Sequence, residues 1–177
     1  GKLQEEAFKE PGGTKLRTWI DDCPNQLYSA LIFEGGEAFK KRVLDDIGDQ
    51  SEISNLINKR SDSEFLELMS NLGGHCISTI CESFNKIKND KPTAFIAYTI
   101  KGWGTPLAGH KDNHAGLMTK AQMNDFKSKL EINDGEEWNN FFDDKKHLNI
   151  DEYIKNLPFQ KAGHRKFSGN KVVIDEA

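Results

Sequence analysis

Lys101, His110, Lys111 and His114 lie on one glycine-rich stretch, KGWGTPLAGHKDNHAG. Lysine and imidazole donate hydrogen bonds to phosphate oxygens, and imidazole also exchanges a proton near neutral pH. Gly102, Gly104, Gly109 and Gly116 let backbone N–H groups approach a ligand closely. The chemistry this combination suits is the holding of a phosphate-bearing ligand, with proton transfer beside it. Trp103 and Leu107 offer apolar surface to another part of the same ligand.

Other readings of these residue types are weaker. His110 and His114 have the i, i+4 spacing of two zinc ligands on a helix. Glycine brackets them, however, and Asp112 is the only carboxylate close by. Asp134-Gly135-Glu136, followed by Asn139-Asn140, has the composition of a magnesium motif, but it reads as a helix start with no strand before it. His75, after Gly73-Gly74, reads as a helix-start residue with structural hydrogen bonds. No metal site is expected within the chain.

The element that must position the cationic loop is the run before it. Thr93 to Ile100 is mostly apolar and reads as a strand that ends at Lys101, at the carboxyl edge of a sheet. Ala94 to Tyr98 does not alternate apolar with polar, the pattern of a strand buried on both faces between parallel neighbours. Few other strand candidates exist, against the five or six strands of a full doubly wound sheet. The expected fold is therefore α/β: one helix-rich domain over residues 1–177 with a partial parallel sheet, ending in an extended tail over 160–177. The shortage of strands points to a segment of a larger protein.

The remaining elements read mostly as helices. Lys2 to Lys9 and Thr14 to Asp21 come first, the second burying Leu16, Trp19 and Ile20. Leu27 to Phe33 is a strand or a buried loop. Glu37 to Ile47 places Phe39, Val43 and Ile47 four apart. A short helix begins at Ser51, and Ser61-Asp62-Ser63-Glu64 is a capping box for the next. The longest helical stripe begins at His75 and carries Cys76, Ile77, Ile80, Cys81, Phe84 and Ile87. Thr119 to Gln122 is a second capping box, ahead of Met123, Phe126 and Leu130 facing inward. Glu136 to Phe142 and Asp151 to Leu157 read as short helices.

Composition bounds the function. The 177 residues carry a net charge of −4, which gives no reason to expect nucleic acid as a partner. No apolar run is long enough to span a membrane, and no signal peptide is expected. The three cysteines, Cys23, Cys76 and Cys81, are not closely paired and read as reduced thiols of a cytoplasmic protein. Cys76 and Cys81 are expected in the core.

Thr99-Ile100-Lys101-Gly102-Trp103-Gly104, with His114 beyond it, resembles the phosphate-side loop of thiamine diphosphate enzymes. The likeness is greatest to the homodimeric pyruvate dehydrogenase E1 component. Leu72-Gly73-Gly74-His75 resembles the E1 pattern upstream, while His110 to Gly116 is similar to the paired-histidine segment of transketolase. The resemblance is specific over residues 68–123. It implies the second half of a pyrophosphate-binding domain, with Lys101 and Gly102 at the diphosphate side of thiamine diphosphate. It implies His114 at the diphosphate or the substrate, and His110 in a loop that binds substrate or moves protons. The partners implied are the remainder of an E1 subunit, a second E1 copy, and a lipoyl acyltransferase E2. The family's Gly-Asp-Gly magnesium segment and its activating glutamate are not in this sequence, so magnesium would be held by residues outside it, and the chain is not catalytic alone. A transketolase segment, or an interaction module with a degenerate site, are the alternatives.

Overall fold

Apolar residues at helical spacing dominate the first part of the chain, and residues 2–70 fold into six helices. These are α1 (Lys2–Ala7), α2 (Gly13–Asp22), α3 (Asn25–Glu34), α4 (Gly36–Ile47), α5 (Ser51–Asn58) and α6 (Asp62–Ser70). Then come α7 (Ile77–Asn85), α8 (Lys120–Lys129) and α9 (Leu148–Asn156). The structure is a computed structural model that describes residues 1–48, 51–89, 91–139, 148–157 and 160. It divides into two compact units, residues 1–130 and 131–177.

The core of the first unit lies among α1 to α6. Leu16, Phe39, Val43, Ile53, Ile57, Phe65 and Met69 are fully enclosed there. Phe39 is the centre: Tyr28 and Phe65 meet its ring edge-on, with centroids 5.2 and 5.9 Å away, a favoured aromatic geometry. α4 packs on α3 and α6, and α2 packs on α5. The capping box at Ser61 is present: its hydroxyl accepts the Glu64 N–H at 3.2 Å, and the Glu64 carboxylate accepts the Ser61 N–H at 2.7 Å. The second box, Thr119 with Gln122, is likewise formed at the start of α8.

No strand is present among the described residues, so the expected α/β fold with a partial parallel sheet is corrected to a helical one. Thr93–Ile100 runs without turn or bend from Pro92, but among the described residues the segment beside it gives it a single backbone bond, Gly74 N–H to the Tyr98 carbonyl, and no ladder forms. The rival strand candidate, residues 27–33, is helical. Pro24 and Gly35 bound α3, and Tyr28, Leu31 and Ile32 recur at i, i+3 and i+4 on its buried side. An apolar run fixes burial, not backbone state; the period and the flanking breakers decide the latter.

Three further expectations change. His75 sits in a turn, and α7 starts two residues later with Cys76 at its cap. The apolar stripe of α7 has helical spacing, yet none of its residues is buried; Cys76 is half-buried and Cys81 exposed. Met123 and Leu130 are each half exposed, and α8 too buries nothing. In the second unit, α9 covers most of the expected 151–157 helix. Residues 136–139 are not helical, and the rest of the expected 136–142 helix and the tail beyond 160 lie outside the described residues.

Candidate functional site

The loop after Ile100 is a chain of tight turns closed on itself at Lys101. The Lys101 carbonyl accepts the Gly109 N–H at 3.0 Å and the Asn113 side-chain amide at 2.8 Å. Between them, Trp103, Thr105, Ala108 and His110 each donate a backbone N–H to a carbonyl earlier in the loop. Gly109 brings this loop onto α3. Its φ is +75°, and a β-carbon there would stand 2.2 Å from the Ser29 carbonyl oxygen, so only glycine permits the approach.

This docking forms an open cavity of about 550 Å³, lined by Lys101, His110, Lys111 and Asn113 from the loop and by Asn25, Gln26 and Ser29 from α3. No carboxylate lines it. Neither Lys101 nor Lys111 has an ion-pair partner among the described residues, so both ammonium groups are available to an anion. The first turn of α3 faces the same space. Its cap is Pro24, with no side-chain cap and no acidic residue in the first turn, so the N–H groups there stay open. The open N-terminal turn of a helix carries partial positive charge and favours anions.

His110 is held in place. Its ring stands edge-on to Phe33 at 4.4 Å, and its Nδ1 accepts the Asp112 N–H at 3.1 Å. With Nδ1 used as an acceptor, a neutral His110 carries its proton on Nε2, where it can be donated to a ligand. Asp112 Oδ2 stands 4.0 Å from Nδ1, an ion pair only when the ring is protonated.

Lys101, Gly102 and His110 thus meet on one short loop, with Lys101 and His110 on the cavity itself. His114 is exposed and does not line it. His75 has a different task. Its Nε2 accepts the Ile100 N–H at 2.7 Å and its ring stacks on Trp103 at 4.5 Å, fixing where the cationic loop begins. Burial holds its pKa below the ordinary 6.5, keeping the acceptor nitrogen free of a proton.

Asn25, Gln26 and Ser29 were not among the sequence-level candidates. The signal for them was Pro24, a helix-start residue ahead of an apolar period. Among the described residues, no group of three His, Cys, Asp or Glu side chains is placed to hold a metal ion. No helix of the described residues is long and apolar enough to cross a membrane. No protein-family model, curated protein or solved structure matches this chain.

Proposed function

We propose that the chain is a segment of a thiamine diphosphate-dependent 2-oxo-acid dehydrogenase E1 subunit and supplies the diphosphate side of its active site. The observation that supports this reading is the joint placement of Lys101, Lys111, His110 and the open first turn of α3 around one cavity free of carboxylates. A diphosphate needs dispersed positive charge and N–H donors in a concave site, and these residues have that character.

In this reading Lys101 and Lys111 offset the charge of the diphosphate oxygens. The first-turn amides of α3 donate to them. His110 holds a proton at Nε2 on the rim of the cavity, where it can be passed to or taken from a neighbouring group. Thiamine diphosphate, when bound, supplies the nucleophilic carbon that makes decarboxylation of a 2-oxo acid possible. Magnesium would be held by residues outside this chain, and the reaction completed by the rest of the subunit and by transfer to a lipoyl carrier.

A titration of this chain with inorganic pyrophosphate, followed by NMR, tests the site. Amide shifts are expected at Lys101, Lys111, Asn25 and Gln26, with affinity lowered about tenfold by Lys101→Ala, equal to about 1.4 kcal/mol. Thiamine diphosphate with magnesium should bind this chain no more tightly than pyrophosphate; micromolar binding of the cofactor would contradict the segment reading. An assay of the longer polypeptide that contains this segment tests the reaction. Pyruvate decarboxylation with acyl transfer to a lipoyl domain is expected, and ketol transfer between sugars in its place would sink the E1 assignment.

A further inference from the structure

The run before the cationic loop is exposed along its length. Residues 91–99 are all exposed, with Ile96 at 88% and Tyr98 at 72%. Beside it lies the equally bare face of α7, where Ile77 is 71% exposed and Phe84 stacks on Phe95 at 4.5 Å. Between them runs an apolar groove of about 330 Å³ lined by Gly74, Thr79, Phe84, Phe95 and Tyr98.

The backbone of this run is as open as its side chains. In an extended chain, successive residues present their N–H and C=O groups to opposite edges. On the edge of Tyr98 and Ile100, two bonds are made: the Tyr98 carbonyl accepts the Gly74 N–H at 2.9 Å, and the Ile100 N–H goes to His75. Gly74 permits that approach, since a β-carbon there would lie 2.5 Å from the Tyr98 oxygen. On the other edge, Phe95, Ala97 and Thr99 have no backbone partner among the described residues.

We infer that this edge docks an extended segment of a partner polypeptide, apolar along its middle and acidic at its ends. The three parts of that description come from three features of the surface. A row of unpaired N–H and C=O groups is matched only by another extended backbone, because a helix has spent its own groups and lipid has none to offer. The bare side chains of the run, Ile96 and Tyr98 among them, favour apolar side chains on the strand laid beside it. Charge then selects the ends: Lys86, Lys88 and Lys91 stand at one end of the run and Lys101 and Lys111 beyond the other, none in an ion pair among the described residues. A second copy of this chain would bring the same lysines toward their own kind, which disfavours self-pairing.

Hydrogen exchange of the Phe95, Ala97 and Thr99 amides tests this. The probe is a synthetic peptide of alternating valine and threonine with two glutamates at each end. It should slow exchange of these three amides by about tenfold or more, less in high salt and less for a lysine-ended analogue. An analogue N-methylated at alternate residues, which keeps the side chains but cannot pair, should leave them unprotected. The Ala97→Pro variant, at an exposed position outside the core, should keep the helical circular dichroism and lose the protection. Equal protection by the methylated peptide overturns the inference, as does no protection at millimolar probe. Protection that grows with the chain's own concentration and needs no peptide also overturns it, by giving the edge to a second copy.

Discussion

Gly109 stands against Ser29 so closely that a β-carbon would lie 2.2 Å from the Ser29 carbonyl oxygen, and its φ of +75° is one that side-chain-bearing residues avoid. That contact brings Lys101, His110 and Lys111 to the first turn of α3. Gly109→Ala should undock the loop at a cost of about 1–3 kcal/mol. The contacts of Phe39 with Tyr28 and Phe65 lie within α3, α4 and α6, so the helical circular dichroism should persist. The ring contact between His110 and Phe33 should vanish from NOE spectra, and pyrophosphate affinity should fall with it. Retained affinity with the ring contact gone would detach anion binding from loop docking.

The His75–Ile100 bond carries a pH dependence whose sign follows from the acceptor. Burial depresses the pKa of His75 in the folded chain below 6.5. The unfolded or undocked state therefore takes up the proton first as pH falls. The contribution is complete above 6.5 and is lost as pH drops from there through the folded value. Below that, an imidazolium has no lone pair left for the Ile100 N–H. An NMR titration should find His75 half-protonated below 6.5, with Ile100 amide exchange, corrected for intrinsic rate, rising over the same range. A midpoint at or above 6.5 would contradict the bond as described.

These two contacts show what was legible in the chain and what was not. Both capping boxes could be read, because a cap is a local device spelled out within four residues. So could the buried face of Phe39 with Val43. The run Thr93–Ile100 was a strand by composition, but a strand exists only through a neighbour, and no local pattern reveals whether one is present. α3 was ambiguous for the opposite reason: it is apolar on nearly every side, which blurs its period. The half of the cavity it supplies was hidden with it. The stripe of α7 was legible as a helix but not as an uncovered one.

Cys76 should be a more reactive thiol than Cys23. The Thr79 side chain and the backbone N–H groups of Lys2 and Thr79 beside it pull it down to about 7, although the buried Thr79 hydroxyl makes no hydrogen bond of its own. Burial pushes Cys23 the other way. At pH 7.5 most of Cys76 is thiolate and little of Cys23 is, so iodoacetamide should label Cys76 about tenfold faster. Peptide mapping by mass spectrometry reads the ratio directly. Equal labelling of the two thiols would show that Cys76 is not activated.

Ser61 and Thr119 cap their helices by the same bonds, yet the two helices differ in what they bury, and this separates the effects of removing each cap. α6 buries Phe65, Leu68 and Met69 in the core, whereas α8 buries nothing. Losing a cap costs a helix about 1 kcal/mol. For Ser61→Ala that loss should pass to the whole fold, lowering the melting temperature by about 2–4 °C for a chain of this size. For Thr119→Ala it should stay local: α8 frays, its amides exchange faster, and the melting temperature moves little. Thermal denaturation of the two variants side by side decides the matter, and equal losses would mean that α8 is coupled to the core by contacts its exposed face does not suggest.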